Sequence, residues 1–223
     1  MTLARTGVYR QRWHSSHPLG IPDLLPDMLW QPSEPVQLKI CGYTPLRPDT
    51  AGGCVYAYWT DDFRFECLWN KPLTMLDKIH RANVSAIVEP DFSLYDDDPM
   101  ICQMFNVYKT RWVGRFLQEH GVAVIPSVSW STVKSLSWSL IGIPKFAPVV
   151  AIEGRPRQRR NWLPWIQIVN EIVYRLQPQR VLCYGATREM VSQINCDVMA
   201  FTSANPRSRI PQRIILDRIA SVS

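Results

Sequence analysis

The sequence predicts an α/β protein with a mainly parallel sheet built from repeated βα units. Apolar segments rich in β-forming residues recur about 30 residues apart, and segments with helical spacing of apolar residues separate them. Those predicted strands are apolar throughout, as expected of parallel strands that are buried on both faces. A chain of 223 residues, 46% hydrophobic, can bury a core of that kind.

Three regions follow from the composition along the chain. Residues 1–36 are predicted to form an irregular arm, because recurring prolines forbid a long helix there. These prolines are Pro18, Pro22, Pro26, Pro32 and Pro35. Residues 37–205 are predicted to form the α/β domain, and residues 206–223 a basic C-terminal tail.

Seven segments have the composition of strands. The first, VQLKICGY, is short and begins at Val36, and six more follow residue 50. The six are GGCVYAYWTDD (52–62), SAIVEPDF (85–92), VAVIPSVSW (122–130), APVVAIEG (147–154), RVLCYGA (180–186) and CDVMAFTS (196–203).

The clearest helix precedes Gly121, which is expected to end it. Asp98 is the expected N-cap and Pro99 the first helical residue, and apolar side chains then recur at helical spacing. A second helix is predicted to begin at Lys71-Pro72. Further helices are predicted over 162–178 and 187–195, and a weaker one over 131–144.

The number of strands bears on the architecture. A complete (β/α)₈ barrel usually takes roughly 250 residues, which is more than this chain offers once its arm is removed. We therefore expect a compact or incomplete TIM-barrel-like fold, or an open parallel sheet. Neither GxGxxG nor GxxxxGK[ST] occurs, so the common glycine-rich nucleotide-binding motifs are absent from the sequence.

Acidic and hydroxyl side chains follow several of the predicted strands. In parallel α/β folds, ligands bind at the carboxyl ends of the strands, so these residues are the candidates for catalysis. They are Asp61, Asp62, Glu89, Asp91, Ser129 and Glu153. Carboxylates that converge from different strands could act as an acid–base pair or hold a divalent cation. A non-catalytic domain would also have a polar edge, because loops are solvated.

The stretch AIVEPDFSLYDDDPM contains two kinds of carboxylate. Glu89 and Asp91 lie two residues apart at a strand end and are expected to share one side of it. Asp96, Asp97 and Asp98 instead lead into a helix, where unpaired amides favour negative charge. We assign the chemistry to the first pair and capping to the run of three.

Positive charge is concentrated in the last third of the chain. Residues 145–223 hold 12 of the 25 Lys and Arg but only 5 of the 19 Asp and Glu, and 11 of those 12 cations are Arg. Arginine suits bidentate phosphate contacts, so DNA or RNA is a candidate partner, although a solvated basic face would have the same composition. The candidate phosphate ligands are Arg155, Arg157, Arg159 and Arg160, with Arg207 and Arg209 in the tail.

Several classes of protein are not indicated. No apolar run approaches the roughly 18–20 residues that a membrane helix needs, and the N-terminal residues lack the apolar stretch of a secretory signal. The six cysteines form no CxxC pair, so we expect free thiols in a reducing cytoplasm. The sequence does not define an oligomeric state or a cofactor.

Four blocks of sequence resemble the family catalogued as domain of unknown function 4417. They are DDFRFECLWNKP, EPDFSLYDDDPM, FNVYKTRWVGRFLQEHGVAVIPSVSW and IGIPKFAPVVAIEG. The chain departs from the family pattern at Phe105, where Trp is expected before Asn106. The resemblance implies a phage or plasmid setting, and hence the cytoplasm of a bacterial host cell, and it brings no activity with it. It also draws attention to a second set of pocket candidates, namely Arg64, Asn70, Ser93, Asn106, Tyr108, Arg111 and Trp130.

Three functions therefore stay open at the level of sequence. The first is a nucleic-acid-associated accessory protein of a mobile element, although no helix-turn-helix, zinc finger or RNA-recognition signature is present. The second is an α/β hydrolase-like enzyme, such as a metal-assisted phosphodiesterase. The third is a structural or protein-interaction domain.

Overall fold

A computed structural model describes residues 11–32, 36–154 and 162–201. The strands are β1 (Leu38–Ile40), β2 (Val55–Ala57), β3 (Ala86–Val88), β4 (Val124–Ile125), β5 (Val149–Glu153), β6 (Arg180–Tyr184) and β7 (Asp197–Phe201). The helices are α1 (Pro48–Ala51), α2 (Cys67–Asn70), α3 (Pro72–Ala82), α4 (Met100–Glu119), α5 (Leu136–Ser139), α6 (Leu163–Leu176) and α7 (Arg188–Val191).

All seven strands run parallel and are neighbours in chain order. Strands β1 to β4 form one hydrogen-bonded sheet, and β5 to β7 form a second. The second sheet continues from the first just beyond β4, where the amide of Ala151 donates to the carbonyl of Pro126 at 2.8 Å. The predicted α/β class with parallel βα units is therefore confirmed.

One core cluster lies on the inner faces of both sheets. Alternate residues of every strand enter it, from Leu38 on β1 to Phe201 on β7. The intervening residues point outward and pack beneath the helices, with Val150 and Val181 under α6 as examples. Strands covered on both faces in this way explain the continuous apolar runs in the sequence.

The strands do not close into a barrel. Within the described residues no ladder joins β7 to β1, and only an isolated bridge beyond β4 joins the two sheets, so the TIM-barrel-like expectation is not confirmed. The arm explains part of the separation, because the amide of Trp30 donates to the carbonyl of Val124 at 3.0 Å. That bond occupies the free edge of β4 near its start, and β5 can pair only beyond it.

The arm and the helix ends differ in detail from the sequence-based expectations. Residues 11–32 contain a single 3₁₀ turn at Pro26–Met28, and side chains such as Leu24 and Leu29 are buried in the core. Helix α4 begins at Met100 with Pro99 as its N-cap, and no side chain caps it, so Asp98 is not the cap. The predicted helix over 131–144 is only a 3₁₀ turn, Val133–Ser135, followed by α5. Across the described ranges, no helix is both long and apolar enough to span a bilayer.

Candidate functional site

Hydrogen bonds join the loops that follow neighbouring strands. The carboxylate of Asp62, in the loop after β2, accepts from the amide and the hydroxyl of Ser93 at 3.1 and 2.9 Å. The carbonyl of Ser93 in turn accepts from the side-chain amide of Asn106 on α4 at 2.7 Å. These contacts fix the loops after β2 and β3 at the carboxyl edge of the first sheet.

Asp91 is the most chemically distinctive side chain at this edge. It is half-buried, and it accepts a hydrogen bond from the hydroxyl of Ser129 in the segment after β4. Burial is the main cause that raises the pKa of Asp91 to about 7. The negative charges of Glu153 and Asp62 act in the same direction, while the Ser129 hydrogen bond and the charge of Arg111 oppose the shift. The carboxyl group therefore titrates near neutral pH, where an acid–base catalyst works best.

Glu153 brings the second sheet to the same place. It is the last residue of β5 and half-buried, and its charge acts on both Asp91 and Cys183. Its carbonyl accepts from the indole nitrogen of Trp165 on α6 at 3.3 Å. Side chains from the loops after β2, β3 and β4 and from the end of β5 thus influence one another electrostatically at one edge.

Glu89 has a different environment from Asp91. It is fully buried and forms an ion pair with the buried guanidinium of Arg111 on α4. Burial raises the pKa of Glu89 to about 7, although the charge of Arg111 and the Ser127 amide oppose that change. Since Glu89 faces α4 and is held by Arg111, we interpret it as a structural carboxylate.

Arg111 connects four segments of the chain. Besides Glu89, it donates to the carbonyls of Ile141, Ser127 and Ser139 at 3.0, 3.0 and 3.2 Å. The helix can approach Glu89 because residue 114 is glycine, where a Cβ atom would lie 2.9 Å from the Glu89 Cδ atom. This network holds α4 against the carboxyl ends of β3 and β4.

The other candidates lie around this centre. Asp61 is exposed, and one of its carboxylate oxygens lies 3.5 Å from the Arg64 side chain, so Asp62 rather than Asp61 joins the acidic cluster. Tyr108 is stacked with Phe105 and contacts the ring of Trp69. Trp130 is half-buried against the core beside Trp165, and Asn70 is exposed at the end of α2.

Lys109 is a site residue that the sequence did not single out. Its ammonium lies 4.0 Å from the ring centre of Phe92 and 5.6 Å from that of Phe105. Burial lowers its pKa, against the charges of Asp62 and Glu66. The one sequence signal for this arrangement was the spacing of Phe105 and Lys109, four residues apart on one helix face.

The predicted phosphate-binding arginines cannot be placed. Arg155, Arg157, Arg159, Arg160, Arg207 and Arg209 all lie outside the described residues. Within the part of the chain that is described, no group of three His, Cys, Asp or Glu side chains is arranged to hold a metal ion. No disulfide joins the six cysteines, all of which fall in that part.

Comparison with known proteins shows that the chain is similar to two proteins of mycobacteriophages. It is 32% identical over 195 residues to the Gene 1 protein of Mycobacterium phage L5, an alignment that covers 85% of this chain and 79% of that protein. It is 31% identical over 182 residues to the Gene 1 protein of Mycobacterium phage D29, covering 80% of this chain and 65% of that one. No solved structure matches. The family model "Domain of unknown function (DUF4417)" matches residues 13–202, and the chain therefore belongs to that family.

Proposed function

We propose that this protein is a phage accessory enzyme of the hydrolase type, with Asp91 as its general acid–base group and Glu153 as the neighbouring carboxylate. The observation that carries the proposal is the position of Asp91. It is half-buried at the carboxyl edge of parallel strands, bonded to Ser129, and has a pKa near 7. Paired carboxyl groups whose environments separate their proton affinities commonly supply the acid and the base of a hydrolytic reaction.

The proposed role of Asp91 follows from the factors that raise its pKa. Burial disfavours the charged form of Asp91, and the negative charge of Glu153 adds to that effect, so Asp91 holds a proton up to neutral pH. The Ser129 hydroxyl fixes the orientation of the carboxyl group. A protonated Asp91 can donate to a leaving group, and its ionised form can accept a proton from water or from Ser129.

A metal-assisted phosphodiesterase gains no support from these side chains. A divalent cation needs several free oxygen ligands around one point. Glu89 is paired with Arg111, and Asp62 already accepts two hydrogen bonds from Ser93. We therefore assign the site acid–base chemistry and place no cation in it.

The test is a turnover assay of the full chain with chromogenic phosphomonoesters, phosphodiesters and carboxylic esters. We expect turnover of one class, with a pH–rate inflection near 7. Asp91→Asn should lower kcat by about 10²–10⁴, and Asp97→Asn, an exposed carboxylate in the loop before α4, should not change it. Equal rates for the two variants, or no turnover of any class by the wild type, would contradict the proposal.

A second candidate function is binding of a nucleic-acid backbone. The observation that favours it is the sequence RPRQRR, four Arg in six residues directly after Glu153-Gly154, in a third of the chain that holds 12 of the 25 Lys and Arg but only 5 of the 19 Asp and Glu. Contacts to phosphate release counterions, and log affinity falls with log salt by about 0.9 per duplex phosphate neutralised and about 0.7 for single strands.

Titration of labelled DNA and RNA at several salt concentrations tests this second candidate. Replacing Arg155, Arg157, Arg159 and Arg160 with Ala should weaken binding to all sequences alike. The salt slope should flatten by up to about 3 units if all four contact phosphate. Sequence-selective binding that is indifferent to salt would contradict a phosphate-led mechanism, and no binding by the wild type would remove this function.

The finer architecture also stays a proposal, that of an incomplete barrel. It is supported by the chain-order arrangement of seven parallel strands and by the single cluster that their inner faces share. An experimental structure with the two sheets stacked flat, rather than curved around that cluster, would contradict it.

A further inference from the structure

A groove lies beside the acidic edge, between the segment that follows β1 and helices α2 and α3. Its volume is about 650 Å³, within the range of roughly 300–1,000 Å³ typical of small-molecule sites. Three cationic side chains line it, Arg47, Arg64 and Lys78, together with the buried side chain of Tyr58. We propose that this groove binds a nucleoside phosphate.

The charge of the groove favours an anion. No Asp or Glu is among its lining residues, and in the part of the chain described neither Arg47 nor Lys78 forms an ion pair. Arg64 has one acidic neighbour, Asp61, at 3.5 Å from its Nε atom. Three cationic side chains on one concave surface without lining carboxylates match the charge of a phosphate group, and arginine can donate to it in a bidentate manner.

A close approach of two loops brings Arg64 into the groove. Gly42 has a φ of +85°, and a Cβ atom there would lie 3.4 Å from the Thr60 hydroxyl and 3.5 Å from Arg64 Cδ. A larger residue would be strained by this φ, and its Cβ atom would be in ordinary van der Waals contact with Arg64. The loop after β1 therefore lies against the loop after β2, and one guanidinium nitrogen of Arg64 would lie 3.9 Å from a Cβ atom at Gly42, which also lines the groove.

The hydroxyl of Tyr58 supplies a second, independent indication of a ligand. Tyr58 is 2% exposed, and its hydroxyl has no hydrogen-bond partner within the described residues. Burial raises its pKa well above the usual value, so the group remains a donor. By contrast, the hydroxyl of Tyr56 donates to the carbonyl of Thr44 at 2.7 Å. A buried donor without an acceptor is unfavourable, and a bound phosphate or sugar oxygen would satisfy it.

The remaining walls suit the planar part of a nucleoside. Leu46 and Met75 line the groove with apolar surface, and Tyr43, which also lines it, is 46% exposed. Base-to-aromatic stacking is sequence-tolerant because every base has a flat face. The groove thus offers cationic side chains for a phosphate group beside an apolar and aromatic wall for a base. This combination favours a nucleoside phosphate over inorganic phosphate.

Calorimetric titration of the full chain with adenosine 5′-monophosphate at low ionic strength tests the inference. We expect saturable binding, competition by excess inorganic phosphate, and much weaker binding of adenosine. Arg47→Ala and Lys78→Ala should each weaken affinity about tenfold or more, since each removes a charge-assisted contact. Arg81→Ala is the matched control, because it removes the same charge from α3 at a position that does not line the groove.

Tyr58→Phe separates binding from folding. It deletes a hydroxyl that lacks a partner in the free protein, so thermal stability should not fall, while nucleotide affinity should fall several-fold. A short single-stranded oligonucleotide forms the second arm of the experiment. Tighter binding of the oligonucleotide than of the monophosphate, with the same loss in the variants, would identify a strand of nucleic acid as the source of the nucleoside phosphate.

Binding of either ligand, with the expected losses of affinity in the variants, supports the groove as a site for a nucleoside phosphate. Three outcomes would overturn the inference. Arg81→Ala could weaken binding as much as Lys78→Ala does, or Tyr58→Phe could leave binding unchanged. Failure of both ligands to bind would also overturn it. The inference does not rest on the acid–base proposal. Asp91→Asn should retain nucleotide binding. A failure of the groove inference can therefore be distinguished from a failure of the acid–base proposal.

Discussion

The indole of Trp59 stacks on the ring of Tyr184, with centroids 5.3 Å apart and planes 4° from parallel. Trp59 follows β2 in the first sheet, and Tyr184 ends β6 in the second. Both are buried in the cluster that the inner strand faces share. The two rings therefore join the carboxyl ends of the two sheets directly beneath the loops that bear the acidic residues.

Removing this stack should destabilise the whole molecule. We expect Trp59→Ala to lower the free energy of unfolding by about 3–5 kcal/mol, because it leaves a cavity between the sheets. Trp59→Phe keeps an aromatic face and should cost less than half of that. Urea denaturation measures both, with Tyr174→Ala, 75% exposed on α6, as the control. A loss for Trp59→Ala no larger than that for Tyr174→Ala would contradict this role.

The buried ion pair should matter far more than exposed pairs. Arg111→Met leaves the Glu89 carboxylate without its partner, and such a change costs about 3–5 kcal/mol. Arg81→Met breaks an exposed pair with Asp77 and should change the free energy of unfolding by at most about 0.5 kcal/mol. Chemical denaturation of the two variants checks the contrast, and a cost below about 1 kcal/mol for Arg111→Met would count against the network.

Gly114 should not tolerate a methyl group. At exposed helix positions, replacing Gly with Ala stabilises by roughly 1 kcal/mol. Here the added Cβ would lie 2.9 Å from the Glu89 Cδ and Cγ atoms, so we expect Gly114→Ala to destabilise instead. The double variant with Glu89→Ala should lose less than the sum of the single losses, because the clash disappears. Additive losses in thermal unfolding would show that the two residues do not contact each other.

Stability should depend on pH through Asp91. Its pKa is raised from 3.8 in the unfolded chain to about 7 in the folded protein, so the folded state binds a proton more tightly. The stability from this group is complete below pH 4 and is lost as the pH rises through 7. Asp91→Asn should therefore gain in melting temperature over the wild type as pH rises from 5 to 8. Glu89 titrates in the same pH range in the wild type and in the variant. Only the difference between their melting temperatures therefore reports on Asp91. A difference that does not change with pH would rule out the raised pKa.

Local patterns in the sequence were sufficient for the element types. Helix α4 was evident because its apolar residues recur at helical spacing, and strands β2 to β7 because apolar β-formers occur between turn signals. Helix ends were less well defined. The short helix α1 was missed, since four residues carry too little periodicity to detect.

The site was only partly predictable. Because Glu89 and Asp91 lie two residues apart, the sequence suggested that they share one side of a strand. Strand β3 ends at Val88, however, so the alternating side-chain directions of a strand do not extend to them. Asp91 then meets Ser129, and Glu89 meets Arg111, at sequence separations of 38 and 22 residues. Nothing in the local pattern distinguishes a carboxylate that will be paired under a helix from one that will face a neighbouring loop.

The sequence by itself determined the α/β class, the parallel strands and the edge at which polar side chains collect, because these depend on hydrophobic periodicity along short segments. Tertiary structure decided that Asp62 rather than Asp61 joins Asp91, that Lys109 lies over Phe92, and that Arg47, Arg64 and Lys78 share one groove. Those relationships join residues from different loops and helices. Their distances are set by how the helices pack on the sheets, and that packing depends on contacts between residues far apart in the chain.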